Sequence, residues 1–407
     1  MKKLLFLGAS DTQVYAIRRA VELGFHVTTC DYRPENPGHR VAHDSYDVST
    51  TDHKGVLELA QRLKVDSILA YGSDPGALTA ALVADRLGLP GDPPEAVILA
   101  QDKLRLRSAQ RDAGLPVPEF VDASDGDALA DLTSRSATGV VVKPVDSSGG
   151  RGISFLTPRA THEDRWRCVA HARAHSRSGR VIGESMWGPG LPQFAGNTIV
   201  VGGRVQHLAI GDQVMPRVPG AATNIGNIAP THLANSAVAA MRSQTQRLVS
   251  ALGLSGGVYD LEYRFDREGE LTIVDFGARA GGNLVGLRYH VAYGIDYPAA
   301  AILIAASHPI DTQPPVHEPK FAVLFVIHSE TSGTLREIQL DDRVKEMTHD
   351  LLISAQPGSK VRPFRTSADR LGVIVMVSRN RSALEAVYGD PHSFVRVVVD
   401  DSDGYER

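Results

Sequence analysis

GVYDLEYRFDREGELTIVDFGARAGGN, residues 257–283, reads as a β-hairpin that runs out into an arginine and a glycine run. Tyr259–Phe265 and Glu270–Phe276 are rich in β-branched and aromatic residues, and Asp266-Arg267-Glu268-Gly269 supplies the turn between them. If Phe265 pairs with Glu270, Glu262 pairs with Ile273 and Asp275 lies two residues further on. Side chains alternate faces along a strand, so Glu262 and Asp275 then share a face as diagonal neighbours, roughly 7–8 Å apart at the backbone. Two carboxylates converging from that distance suit Mg²⁺, which takes few protein ligands and completes its shell with substrate phosphates. Arg279 has the parity of Asp275 and would bring a fixed positive charge to the same face. Asp260 falls opposite Asp275 in this register and competes with it as a ligand. An isolated hairpin with acids on its wet face is routine, so the reading needs support from the rest of the chain.

The composition narrows the class. At 407 residues the chain exceeds one ordinary core and calls for two or three subdomains. With 43% hydrophobic and 22% charged residues it is a globular composition. A net charge of −4 without a long basic run gives no reason to expect nucleic acid or a membrane surface as partner. Two cysteines, Cys30 and Cys168, are too few for a disulfide framework and are not spaced as a metal knuckle. The opening MKKLLFLGAS reads as a first strand rather than a signal peptide, and a cytoplasmic location is expected.

Along residues 1–95, apolar runs at Lys3–Leu7, His26–Cys30 and Ser67–Tyr71 alternate with helical stretches at Gln13–Leu23, Lys54–Leu63 and Ala77–Leu87. That alternation predicts a doubly wound parallel sheet. Gly8-Ala9-Ser10 lacks full dinucleotide-fingerprint spacing, and Asp31 reads as a strand-end turn residue. Gly88–Pro94 marks a boundary, followed by a linker helix within 96–118 that Asp102 caps and Gly114 stops. Residues 119–185 form a small unit containing the strands Gly139–Lys143 and Arg180–Ser185. From 186 to 407 antiparallel strands predominate, with helices at 232–252 and 295–306 and the closing strands Phe321–His328, Leu371–Ser378 and Val395–Val399. The fold class is mixed α/β and α+β.

Lys143-Pro144-Val145-Asp146-Ser147-Ser148-Gly149-Gly150-Arg151-Gly152 is a strand-ending lysine followed by small residues. Such a loop lets backbone N–H groups approach phosphate oxygens while the lysine adds a point charge. The lysine precedes the glycines, so this is no Walker A loop.

Four segments in order resemble the ATP-grasp superfamily of ATP-dependent ligases: QDKLRLRSAQRDAGLPVP (101–118), VVKPVDSSGGRGI (141–153), VIGESMWGPG (181–190) and VDFGARAGGN (274–283). YGSDPGALTAALVADRLGLPG (71–91) is similar to the first domain of a carboxylate–amine ligase branch. LGVIVMVSRNRSALEAV looks like the closing segment of biotin-carboxylase-type C-terminal domains. The resemblance implies an ATP-grasp fold: an N-terminal doubly wound domain (1–95), a linker helix (96–118), a lid (119–185) and a large antiparallel-sheet subdomain (186–407).

The resemblance also implies roles. Lys103 and Lys143 match lysines that contact nucleotide phosphates and the adenine edge, with Lys143 and Arg279 as the catalytic cations. Ser147, Ser148 and Gly149 fall in the phosphate lid. Glu184, Ser185, Met186 and Trp187 match the hinge that reads and sandwiches adenine. Glu262 and Asp275 match the acids that hold one or two Mg²⁺, or Mn²⁺, and Arg279 matches the arginine that steadies the transferred phosphate. Two departures stand out. Asp275-Phe276-Gly277-Ala278-Arg279 replaces the usual Glu-x-Asn-x-Arg, and no ribose-binding acid follows the hinge, so Gln193 takes that part. Arg288 and His290 are candidates for a substrate carboxylate, and Arg217 and His207 lie where relatives meet substrate. The implied reaction joins a small-molecule carboxylate to an amine through an acyl phosphate, releasing ADP and phosphate, in a possible homodimer. The rival readings are a bicarbonate-using carboxylase-type enzyme and a nucleotide-binding protein with little turnover.

Overall fold

Leu4–Leu7 are fully buried and form the centre of strand β1 (Lys3–Leu7). With β2 (His26–Cys30), β3 (Asp44–Tyr46) and β4 (Ser67–Ala70) it makes a parallel sheet in the order β3-β2-β1-β4. Near-continuous apolar strands are what a sheet covered on both faces requires. Helices α1 (Val14–Glu22) and α2 (His53–Leu63) supply the crossovers, and α3 (Asp74–Leu87) follows β4. α3 starts where the Ser73 hydroxyl accepts the Gly76 N–H, and it stops at Gly88, whose φ is +65°. In this computed structural model the described residues are 1–124, 127–186, 191–215, 223–312 and 320–400.

The sequence implies one linker helix; the structure has two, α4 (Pro94–Gln101) and α5 (Lys103–Asp112). They meet at Asp102, whose carboxylate accepts the N–H groups of Leu104 and Arg105 at 3.0 and 3.2 Å. A small antiparallel sheet follows, β5 (Phe120–Asp122), β6 (Val140–Pro144), β7 (Ser154–Leu156) and β8 (Val181–Ser185), in the order β5-β8-β6-β7. It is backed by α6 (Ala128–Arg135) and α7 (His162–Ala174).

The large sheet contains β9 (Gln193–Val201), β10 (Arg204–Val214), β11 (Gly226–Ala229), β12 (Gly256–Phe265), β13 (Leu271–Gly277), β14 (Phe321–Ile327), β16 (Thr348–Ile353) and β18 (Gly372–Ser378). Among the described residues its order is β13-β12-β9-β10-β11-β14-β18-β16, antiparallel throughout. A side sheet of β15 (Gly333–Leu340), β17 (Lys360–Val361) and β19 (Val395–Asp400) lies beyond it. β15, β16 and β17 have no counterpart in the sequence reading.

Alternation gives the large sheet two distinct faces. Phe194, Ile210, Leu261, Tyr263 and Ile273 join the core under α8 (Asn235–Leu252). Tyr263 is fully buried with its hydroxyl 2.5 Å from that of Thr245. Burying a side chain of this size is worth about 2 kcal/mol, a gain that an unpaired hydroxyl would largely cancel. On the other face Ile199, Ala209 and Val258 pack with Tyr289 of α9 (Val285–Tyr293) and with Tyr297 and Ile302 of α10 (Tyr297–Ala305). That cluster continues to Leu4 and Phe6 of β1, so the N-terminal sheet docks on the face that carries Glu262. Among the described residues no helix is long and apolar enough to cross a membrane.

Candidate active site

Glu262 does not pair with Ile273. The hairpin turn is one residue longer than the sequence suggests, with Phe265 opposite Leu271 and Tyr263 opposite Ile273. The register then shifts, and Glu262 stands directly opposite Asp275. Val274 is the extra residue of a β-bulge. The bulge breaks simple parity: Ile273 points into the core with Tyr263, while Asp275 joins Glu262 on the opposite face. Directly opposed residues have Cβ atoms about 5 Å apart, so the acids are closer than the diagonal arrangement expected from spacing. Asp260 faces Gly277, not Asp275.

Glu262 and Asp275 line a cavity of about 390 Å³ with Asp74, Lys103 and Arg279. Burial, and next the charge of Asp275, push the Glu262 carboxyl well above its ordinary range. Gln213 donates to Glu262 Oε1 at 3.0 Å, and Lys103 Nζ is 3.8 Å from Asp275 Oδ1. Among the described residues no cation bonds to Glu262 in return. Two opposed carboxylates left this way fit a divalent cation that borrows further oxygens from a phosphate ligand. Among the described residues no group of three or more His, Cys, Asp or Glu gathers as a metal cage.

Arg279 lies past the end of β13. Its guanidinium bonds Asp260 Oδ2 at 2.7 Å and Asp74 Oδ2 at 3.0 Å, tying the first turn of α3 to the hairpin. A Cβ on Gly277 would sit 3.0 Å from the Arg279 Cζ. A side chain at this position would need the guanidinium to give by a few tenths of an ångström. Burial works against the charge on Arg279, but the Asp74 and Asp260 carboxylates outweigh it and hold the guanidinium above its ordinary range. Asp74 escaped the sequence reading. It sits just after β4, at the carboxyl end of a parallel strand where α/β ligands bind, and that position was the available signal.

Lys103 donates to the Ser147 carbonyl at 2.9 Å, anchoring the glycine-rich loop over the acid pair. The loop also touches the C-terminal segment: the Ser367 N–H donates to Gly149 O at 3.1 Å. Gly149 has φ +64°, and a Cβ there would meet the Ser367 hydroxyl at 2.2 Å, so both backbone and space demand glycine. Ser148 accepts from Arg151 at 3.1 Å.

Lys143 forms a buried ion pair with Glu184 at 2.7 Å, and Arg107 holds the other Glu184 oxygen at 2.9 Å. Burial alone would raise Glu184, yet Arg107 and Lys143 bring it down to about 2. Burial lowers Lys143 despite Glu184, assisted by the neighbouring cations Arg107 and Lys103. Lys143 also lines a smaller cavity of about 110 Å³ with Gln193 and Met215. The Ser185 and Met186 N–H groups are bonded within the lid, to Glu119 O and Gly139 O at 2.9 Å each. Trp187 and Arg217 lie outside the described residues.

Arg288 is wholly buried, its guanidinium 3.9 Å from the centre of the Tyr289 ring and Nη1 donating to Asn227 O at 3.3 Å; among the described residues its Nε and Nη2 have no hydrogen-bond partner. The same Nη1 stands 3.3 Å from where a Gly211 Cβ would lie, on the Glu262 face of the sheet. Asn227 lines the larger cavity. His290 and His207 line neither cavity. His207 Nδ1 is 2.6 Å from the Tyr297 hydroxyl, and burial, with Arg242 nearby, pushes it down to about 4. It is a packed core histidine.

The chain superposes on the L-amino acid ligase from Bacillus licheniformis with a TM-score of 0.81 at 21% identity, covering 98% of this chain and 99% of that one. The biotin carboxylase domain of Hydrogenobacter thermophilus 2-oxoglutarate carboxylase, crystallised as a dimer with MgADP, ADP and bicarbonate, gives 0.77 at 16% identity over 98% and 91%. This is the ATP-grasp fold. Residues 325–400 match the family of L-amino acid ligase C-terminal domain 2. The chain is also 33% identical over 187 residues to the formate-dependent phosphoribosylglycinamide formyltransferase of Burkholderia mallei. That match spans 45% of each protein, less than half the length of the curated relative.

Proposed function

We propose that this protein is an ADP-forming carboxylate–amine ligase that makes an amide bond on a small molecule through an acyl phosphate. The observation that carries the reading is the opposed pair Glu262 and Asp275, met only by Lys103 at 3.8 Å from Asp275 among the described residues, beneath a glycine-rich loop anchored by Lys103 and beside the fixed Arg279. ATP lies with its phosphates under Ser147, Ser148 and Gly149 and its base against the strand ending at Glu184, Ser185 and Met186. Gln193 is the proposed ribose contact. Glu262 and Asp275 hold Mg²⁺, one or two ions, with Mn²⁺ as a substitute. The ion neutralises phosphate charge during transfer.

The chain's own residues do the positioning. Lys103 and Lys143 fix the phosphate chain, and Arg279, itself fixed by Asp74 and Asp260, stabilises charge on the transferred group. A substrate carboxylate attacks the γ-phosphorus, ADP leaves, and an amine displaces phosphate from the acyl carbon. Arg288 is the proposed anchor for a substrate carboxylate: the Tyr289 ring offsets part of its burial, but two nitrogens without a hydrogen bond among the described residues still favour an anion. The named relatives, an L-amino acid ligase and a formate-dependent formyltransferase, support this class. A cytoplasmic homodimer is the proposed setting, supported by the dimeric Hydrogenobacter domain.

The test is phosphate release from MgATP across a matrix of carboxylic acids and amines, with mass spectrometry of positive wells. Release that needs both, with a product one water lighter than their sum, is the expected result. Release with bicarbonate in place of the acid indicates carboxyphosphate chemistry instead, and ATP binding without release from any pair contradicts the ligase.

A further inference from the structure

Arg107 and Arg288 are the largest fully buried side chains among the described residues, and Arg107 touches neither cavity. Charge neutrality explains only its bond to Glu184. Its other donors reach backbone on β13: Nη1 to Ile273 O at 3.2 Å and Nη2 to Val274 O at 2.5 Å. Gln110, one turn along α5, accepts from Arg107 Nη1 at 2.7 Å and donates to Ile273 O at 2.9 Å.

Ile273 and Val274 are consecutive. In a regular strand consecutive carbonyls point to opposite sides, so one group on one side bonds both only where the strand is bulged. Val274 is that bulge residue. Without it the register from Tyr263–Ile273 would continue, Glu262 would face Val274, and Asp275 would oppose Leu261 on the α8 side of the sheet. A one-residue slip turns every later side chain to the other face. The bulge is therefore what brings the two carboxylates together.

We propose that Arg107, braced by Gln110, is a positioning residue that clamps the Val274 bulge and so sets Asp275 against Glu262 for metal binding. Through Glu184 the same guanidinium ties this clamp to Lys143 on the lid. The proposal rests on the metal-site reading above and goes beyond it by naming what builds the site.

The experiment is Mn²⁺ binding to the full-length protein with a non-hydrolysable ATP analogue, followed by electron paramagnetic resonance. Analogue affinity in EDTA is measured in parallel. Arg107→Lys keeps the charge but cannot fork to two carbonyls; it is expected to weaken Mn²⁺ binding at least tenfold while changing metal-free analogue affinity less than threefold. Gln110→Met removes the brace without touching a charge and is expected to weaken Mn²⁺ about threefold, which keeps the test valid should Arg107→Lys fold poorly. In an Asp275→Asn background, Arg107→Lys is expected to add nothing further. Wild-type Mn²⁺ binding in folded Arg107→Lys or Gln110→Met overturns the clamp. So does an equal loss of metal and metal-free nucleotide binding that persists in the Asp275→Asn background, the mark of a merely structural role. Wild-type Mn²⁺ binding by Asp275→Asn overturns the metal-site reading itself, and the clamp with it.

Discussion

Two acidic clusters sit a short distance apart in this molecule and are treated oppositely. Glu184 is enclosed by Lys143 and Arg107, all three buried. Glu262 faces a second acid, Asp275, and receives only an amide from Gln213 and a lysine 3.8 Å from its neighbour. The first cluster is finished by the protein, and removing its one carboxylate leaves two buried cations without their anion. The second is unfinished, and removing a member relieves repulsion. A carboxylate that the fold already satisfies belongs to the scaffold, whereas a pair it leaves repelling marks where a cation is to be bound.

The comparison is open to direct attack. Asp275→Asn is expected to reduce MgATP-dependent turnover about 10³-fold, about 4 kcal/mol of transition-state stabilisation, while the melting temperature in metal-free buffer holds or rises. A fall in melting temperature together with wild-type turnover would make the pair scaffold like the other cluster. Glu184→Gln should do the reverse to the fold, lowering unfolding free energy in urea by about 3 kcal/mol because Arg107 and Lys143 lose their shared anion. Unchanged stability would place Glu184 with the functional acids.

His207 extends the contrast to a buried base with no carboxylate partner. Its folded pKa of about 4 lies below the ordinary 6.5. Its contribution to stability is thus complete above pH 6.5 and is lost as the pH falls toward 4. Replacing it by glutamine should flatten the loss of stability between pH 7 and 4.5 by about 2 kcal/mol, read from urea titrations at each pH. An identical pH slope in both proteins would show that the ring is charged in the fold. The smallest effect is expected at Lys143. Glu184 keeps Arg107 when Lys143 is replaced by methionine, so stability should barely move. ATP affinity should drop about tenfold, about 1.4 kcal/mol, against less than threefold for adenosine. Parallel losses for both ligands would remove Lys143 from the phosphate chain.

Which parts of this were legible in the sequence follows from range. Strands and helices with strong periodicity, such as β1 and α3, announce themselves locally, and so does the acid-bearing hairpin. The register of that hairpin was not legible. The bulge at Val274 is held by Arg107, 167 positions away in the chain, and no window of sequence contains both. Asp74 was missed for a similar reason: its partner Arg279 lies 205 positions on, and it gains meaning only when the N-terminal sheet docks on the large one. β15 and β16 escaped because many of their side chains are exposed, so neither shows a clean apolar alternation. Arg288 was singled out from its place after the glycine run, but the feature that matters, two unpartnered nitrogens under α9, exists only in three dimensions.

The central claim, that this site transfers the γ-phosphoryl group of ATP to a carboxylate, is tested most directly by positional isotope exchange. ATP labelled with ¹⁸O in the β–γ bridge is incubated with the protein, Mg²⁺ and single carboxylic acids, with no amine present. Reversible acyl phosphate formation frees the β-phosphate to rotate, so the label should scramble into non-bridging positions with particular acids, and Asp275→Asn should abolish it. ATP binding without scrambling for any acid of a broad panel would contradict phosphoryl transfer ahead of the amine.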